Sequence, residues 1–188
     1  MILSIQEIID IILMSIAVGY ILMGIFSYRR QKQRKIFDWQ SFKFAVIISA
    51  PALILHELGH KFVAMAYGLE PVFHAAYAWL GIGIALRLLR TGFIFFVPAY
   101  VNICPGGGCE NIPPLVLSLI AFAGPAMNLL LFFGAFLLLK SGRKFSKKTT
   151  AILRLTWIIN IFLFVFNMLP IPMFDGWKVY SGLWRGFF

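Results

Sequence analysis

Four stretches of this chain, residues 11–28, 91–109, 111–139 and 155–174, contain no Asp, Glu, Lys or Arg. A helix that spans a bilayer needs about 20 predominantly apolar residues. Residues 11–28 and 115–139 meet that requirement outright, and 44–66 and 152–174 meet it if a few polar groups are tolerated. Of the 188 residues, 61% are hydrophobic and only 13% charged, where a soluble domain carries about a quarter charged. A soluble globular domain, a disordered chain and a collagen-like chain are thereby excluded. The first residues lack the basic start of a cleavable signal, with Glu7 and Asp10 in its place, so the first span is expected to be retained. The expected fold is a polytopic α-helical membrane protein. It has about four long transmembrane helices and a short strand or re-entrant region between the second and third.

The net charge of +10 could suggest a nucleic-acid partner, but its distribution argues against one. Most of the 17 basic residues fall in two clusters, Arg29, Arg30, Lys32, Arg34, Lys35 and Lys140, Arg143, Lys144, Lys147, Lys148, each beside a hydrophobic span. That is the positive-inside pattern. It places loops 29–35 and 140–148 in the cytoplasm, within reach of anionic lipid headgroups. Residues 67–114 must then cross the membrane twice or not at all. They are rich in Gly and Pro, with short apolar runs such as Phe93–Val97, and read as short strands or a re-entrant element. A tight helical hairpin with Arg87 and Arg90 at its inner end is the competing reading. With no repeat and no soluble appendage, the chain reads as one membrane domain. Its parts are a first span and basic loop (1–43), a second helix (44–66), the irregular region (67–114), a third helix (115–139), a second basic loop (140–154) and a final broken helix (155–188).

Ten side chains, seven acids and three histidines, are nearly all the chain offers to a metal or catalytic site. Residues 56–60 read HELGH within the second helix. His56 and His60, four apart, project from one helix face and can share one zinc ion. Glu57 is placed beside them as a general base. Ionisable groups at membrane depth are costly and functional by default. A catalytic zinc takes three protein ligands, and Asp175 is the expected third. His56 lies 13 residues past Lys43 and Asn167 13 past Arg154, so at about 1.5 Å per residue both sit roughly 20 Å into their helices. Pro170 and Pro172 then halt the chain near that level, and Gly176 offers backbone freedom at the approach. Two alternatives stay open: Asp175 as a plain helix cap, and His74 as an additional or substitute ligand. The element Cys104–Cys109, CPGGGC, reads equally as a disulfide or as two free thiols.

HELGH at 56–60, AGPAMN at 123–128 and NMLPIPMFDG at 167–176 together resemble the site-2 protease family of intramembrane zinc metalloproteases, whose three motifs occur here in order. The resemblance covers roughly residues 44–180. It implies one zinc per chain held by His56, His60 and Asp175, with Glu57 as the catalytic base. It also implies that Asn167 binds substrate or the oxyanion, and that Gly124, Pro125 and Asn128 support the site. The implied reaction is peptide hydrolysis within or beside transmembrane segments of membrane-anchored proteins, as in regulated intramembrane proteolysis. The chain departs from many members in having no room for a PDZ or CBS domain, and only 12 residues follow Gly176.

A transmembrane substrate must unwind, and an extended one could add to a strand edge. Residues 93–103, including Asn102, are the expected clamp. The rival readings are a zinc-binding transporter and a scaffold without activity. The partners expected are a transmembrane protein substrate and the lipid bilayer, with no nucleic acid. The sequence names no substrate, oligomeric state or host membrane.

Overall fold

The structure, a computed structural model, describes residues 2–26, 36–92, 97–107 and 109–188. In chain order these form α1 (Ile5–Leu22), α2 (Trp39–Ala66), β1 (Val72–Ala75), α3 (Tyr77–Leu88), β2 (Ala99–Asn102), a 3-10 turn at Cys109–Asn111, α4 (Pro114–Lys140), α5 (Lys147–Asn167) and α6 (Asp175–Phe187). Among the described residues α1, α2, α4 and α5 are long and apolar enough to cross a membrane, and the two strands form one small sheet. The protein is a polytopic helical membrane protein. The first basic cluster, Arg29 to Lys35, lies outside the described residues, as do residues 93–96 of the expected clamp.

Local chemistry sets the helix ends. At α1 Ser4 and Glu7 form a reciprocal capping box, the Glu7 N–H donating to Ser4 Oγ at 3.2 Å and the Ser4 N–H to Glu7 Oε2 at 2.7 Å, so two otherwise unpartnered donors are satisfied. Pro114 opens α4 at a position where its missing N–H costs nothing, and Gly142, at φ 71°, follows the end of that helix in the left-handed region. Ser146 caps α5 by accepting from the Thr149 N–H at 3.1 Å. The helices α2 and α5 therefore start before Lys43 and Arg154, at Trp39 and Lys147, and the second basic loop is confined to an exposed turn between α4 and α5. The middle region has the short strands expected of it and, among the described residues, a single helix in place of the competing helical hairpin. It contains a strand pair and one 12-residue helix, α3, which at about 18 Å is too short to span.

The chain forms two compact units, Met1–Leu53 with Phe73–Tyr100, and Ile54–Val72 with Val101–Phe188. In the first, Met14, Val18 and Ile21 of α1 and Ile48 of α2 are fully buried. A side chain at Gly19 would strike Val46 and Phe42, so α1 and α2 touch nearly backbone to side chain. Arg87 of α3 donates to the Ile21 carbonyl at 3.0 Å, its guanidinium over the Tyr20 ring.

Glu7 and Asp10, the acids that stand in place of a basic start, are both buried on α1. The Phe73 N–H donates to Glu7 Oε1 at 2.7 Å and the Ala75 N–H to Asp10 Oδ2 at 3.0 Å. Gln6 and the Tyr77 hydroxyl both donate to Asp10 Oδ1, and the latter bond raises the Tyr77 hydroxyl above its ordinary value. The physical reason is backbone satisfaction. Alternate N–H groups along one edge of β1 would be orphaned in apolar surroundings, and carboxylates three apart on one helix face are spaced to accept them.

In the second unit α4 is the centre. Phe132 and Phe136 stack on Trp157 of α5. The Ser118 hydroxyl donates to the Val179 carbonyl of α6 at 3.0 Å, and a side chain at Gly182 would collide with it. The outward faces of α4 and α5 expose Leu130, Phe133, Leu137, Ile158, Phe162 and Val165. Such a belt is sustainable in lipid and not in water. Cys104 and Cys109 form a disulfide, which settles the thiol question. The Asn102 side chain accepts from the Cys104 N–H at 3.2 Å in the turn that leads to it.

Candidate metal centre

His56, Glu57 and His60 are buried in the second half of α2, 17 to 21 residues past Trp39, which at about 1.5 Å per residue is some 26 Å or more from the start of the helix. Asp175 is the first residue of α6, whose N-cap is Phe174. The plain helix-cap reading is thereby set aside, because the Asp175 carboxylate points to the histidines instead. His56 Nε2 lies 3.1 Å and His60 Nε2 3.3 Å from Asp175 Oδ2, and the two Nε2 atoms are 3.2 Å apart. These three side chains are the metal-capable cluster among the described residues. His74, the alternative ligand, stands in β1 against the Tyr100 ring and is not in it.

The protons of the two imidazoles can be placed. His60 Nδ1 is 2.8 Å from the Ile120 carbonyl, which only accepts, so that nitrogen carries the hydrogen. His56 Nδ1 is 2.6 Å from Asn128 Oδ1 and donates to it. Both Nε2 atoms of the neutral rings therefore present lone pairs, and they converge with a carboxylate oxygen. Three lone pairs this close repel unless a cation sits among them. Ligand atoms about 2.0–2.2 Å from a tetrahedral zinc are spaced about 3.3 Å apart, and the observed triangle has that size. Asp175 completes the set with a carboxylate oxygen, and ligation requires its carboxyl in the deprotonated form. The donor set and spacing fit zinc.

Small residues permit this convergence. A side chain at Gly124 would strike the Nε2 atoms of both His60 and His56, and one at Gly59 would meet the Ala123 carbonyl at 2.6 Å. In the second unit α4 thus lies against the histidine face through bare backbone. Gly176 would meet Met168 and Leu169 backbone atoms. It is not in the left-handed region, so its value is room and not the conformational freedom expected from sequence. Pro125 is fully buried next to Gly124. Asn167 ends α5 and is half-buried, while Asn102 is exposed at the end of β2.

Sequence reasoning missed two residues here. Asn160, fully buried on α5, accepts from Asn128 Nδ2 at 2.9 Å, and Lys61, also buried, donates to the Pro71 carbonyl at 3.0 Å. Lys61 follows His60 directly, but no spacing rule marks it. Asn160 could have been noticed only as a strongly polar residue in the middle of an apolar helix.

No family model and no solved structure matches the chain. Two curated proteins do. One is "Putative zinc metalloprotease MJ0611" of Methanocaldococcus jannaschii, 36% identical over 180 residues, covering 93% of this chain and 83% of that protein. The other is "Putative zinc metalloprotease YwhC" of Bacillus subtilis, 29% identical over 159 residues, covering 74% of this chain and 68% of that protein.

Proposed function

This chain belongs to the zinc metalloprotease family of those relatives, and we propose that within it the protein is an intramembrane protease of the site-2 type, cutting transmembrane segments of membrane-anchored proteins. The observation that carries the proposal is the convergence of His56 Nε2, His60 Nε2 and Asp175 Oδ2 to 3.1–3.3 Å, with both histidines in the second half of a helix long and apolar enough to span a bilayer.

His56, His60 and Asp175 would hold one zinc ion. Bound there, zinc supplies Lewis acidity that polarises a peptide carbonyl and makes water nucleophilic at neutral pH. Glu57, next to His56, takes the proton of the attacking water and returns one to the leaving amine. Asn167 offers a neutral amide donor to the oxygen on which charge develops, which suits an apolar pocket better than a further charge. Asn128 orients His56, and Gly124 with Pro125 keeps α4 out of the ligands' space. Substrate enters as an extended chain, with β2 and Asn102 as its contacts. The exposed turn Lys140–Lys148 faces the cytoplasm, and the disulfide before α4 faces the opposite side. The 27 residues of α4 cover about 40 Å and separate the two.

The test is cleavage of a panel of single-span substrates in proteoliposomes. Glu57→Gln is expected to keep about one equivalent of zinc and to lose about 10²–10⁴-fold in turnover, the range for removing a general base. Asp175→Asn is expected to lose zinc as well. Cleavage by Glu57→Gln at the parental rate would overturn the proposal.

A further inference from the structure

The hydrogen bond that orients His56 does not end at Asn128. Asn160 Nδ2 donates to the Thr156 carbonyl at 2.8 Å, Asn160 Oδ1 accepts from Asn128 Nδ2 at 2.9 Å, and Asn128 Oδ1 accepts from His56 Nδ1 at 2.6 Å. Asn128 and Asn160 are both fully buried, so water does not offer either amide an alternative partner.

The direction of this relay is fixed at one end. A carbonyl oxygen accepts and cannot donate. The Thr156 carbonyl therefore obliges Asn160 to turn its NH₂ group toward it and its oxygen toward Asn128. That oxygen obliges Asn128 to present its NH₂ to Asn160 and its oxygen to His56. His56 must then carry its ring hydrogen on Nδ1, which leaves the lone pair on Nε2, facing His60 and Asp175. An amide is nearly symmetric in shape, so hydrogen bonding, including the bond that Asn160 supplies, sets which way round Asn128 sits. Rotated by 180°, it would offer a donor to His56 Nδ1, and the hydrogen would move to Nε2, where it excludes a metal.

We propose that Asn160 is a positioning residue of the metal centre: through Asn128 it transmits the polarity of the Thr156 carbonyl to His56 and so selects the ring form that can ligate zinc. This rests on the zinc reading above. It assigns a role in metal affinity to a side chain on α5, a helix that contributes no ligand.

The experiment measures zinc affinity of the purified full-length protein by chelator competition, with thermal unfolding of the metal-free protein as the check on folding. Asn160→Leu, similar in size but without polarity, is expected to weaken zinc binding by about 10–100-fold, the range for loss of an outer-shell partner. Asn160→Ala removes the same amide without added apolar bulk and carries the measurement if the leucine variant does not fold. The second arm repeats both in an Asn128→Asp background. A carboxylate accepts from His56 Nδ1 whichever oxygen faces it, so Asn160 is no longer needed. Its loss there is expected to change affinity by less than about twofold, the scatter of uncoupled sites.

A purely structural role for Asn160 would cost as much in that background as in the parent. Equal losses in both backgrounds, or no loss in the parent, overturn the relay while leaving the zinc site standing. A parent protein that binds no zinc overturns the metal reading and the relay with it.

Discussion

At Gly124 a single added methyl group would occupy the position where two imidazoles turn their lone pairs. Gly124→Ala is expected to weaken zinc binding without altering any ligand, because the histidines must move or α4 must retreat. Overpacking of this kind costs about 1–3 kcal/mol, measurable as a shift in chelator competition. Zinc removal is likewise expected to be reversible and to be favoured by acid. The ligands bind deprotonated, so acid releases the metal; activity should return on adding zinc at neutral pH, and failure to return would mean that the fold depends on the ion. The cluster of His56, His60 and Asp175 was legible in the sequence, because two histidines four apart and a scarcity of acids leave few choices. The partners that orient them were only half legible. Asn128 belongs to a motif, but the direction of a hydrogen bond that starts at the Thr156 backbone leaves no mark in residue spacing.

At the scale of elements, the four spans were legible because long apolar runs, uncharged or nearly so, have few other uses, and only their ends shifted, to starts set by Ser4 and Ser146 as caps and by Pro114 as a first helical residue. The acids of α1 were not. Nothing local reveals that β1, more than 60 residues later, brings N–H groups to them. Glu7→Leu is expected to orphan the Phe73 N–H and destabilise the protein by about 1–3 kcal/mol, the usual cost of a buried unsatisfied donor. Glu7→Gln keeps an acceptor and should cost less. Thermal unfolding in detergent orders the two, and faster amide exchange at Phe73 in the leucine variant identifies the cause. Ser4→Ala removes one half of the capping box and should cost about 1 kcal/mol, with exchange rising at the start of α1 rather than in β1.

For the whole molecule, the orientation proposed above rests on charge and redox chemistry by separate routes. A disulfide persists in an oxidising compartment, and a basic turn favours the cytoplasm. In the second unit Cys104–Cys109 precedes α4 and Lys140–Lys148 follows it. In intact cells a membrane-impermeant thiol reagent is expected to label the cysteines only after an impermeant reductant. A cysteine introduced at Ser141 should stay unlabelled until the membrane is opened. Labelling of both from outside would require α4 to be placed differently.

The carboxylates of α1 have one more consequence. They take two N–H groups on one flank of β1, and β2 occupies the other, so among the described residues both flanks of β1 already carry partners. A newcomer joining this sheet is left a single berth, the outer rim of β2. There alternation turns Tyr100 and Asn102 the same way, both open to solvent. Those two side chains would be the first to sample whatever polypeptide docks alongside.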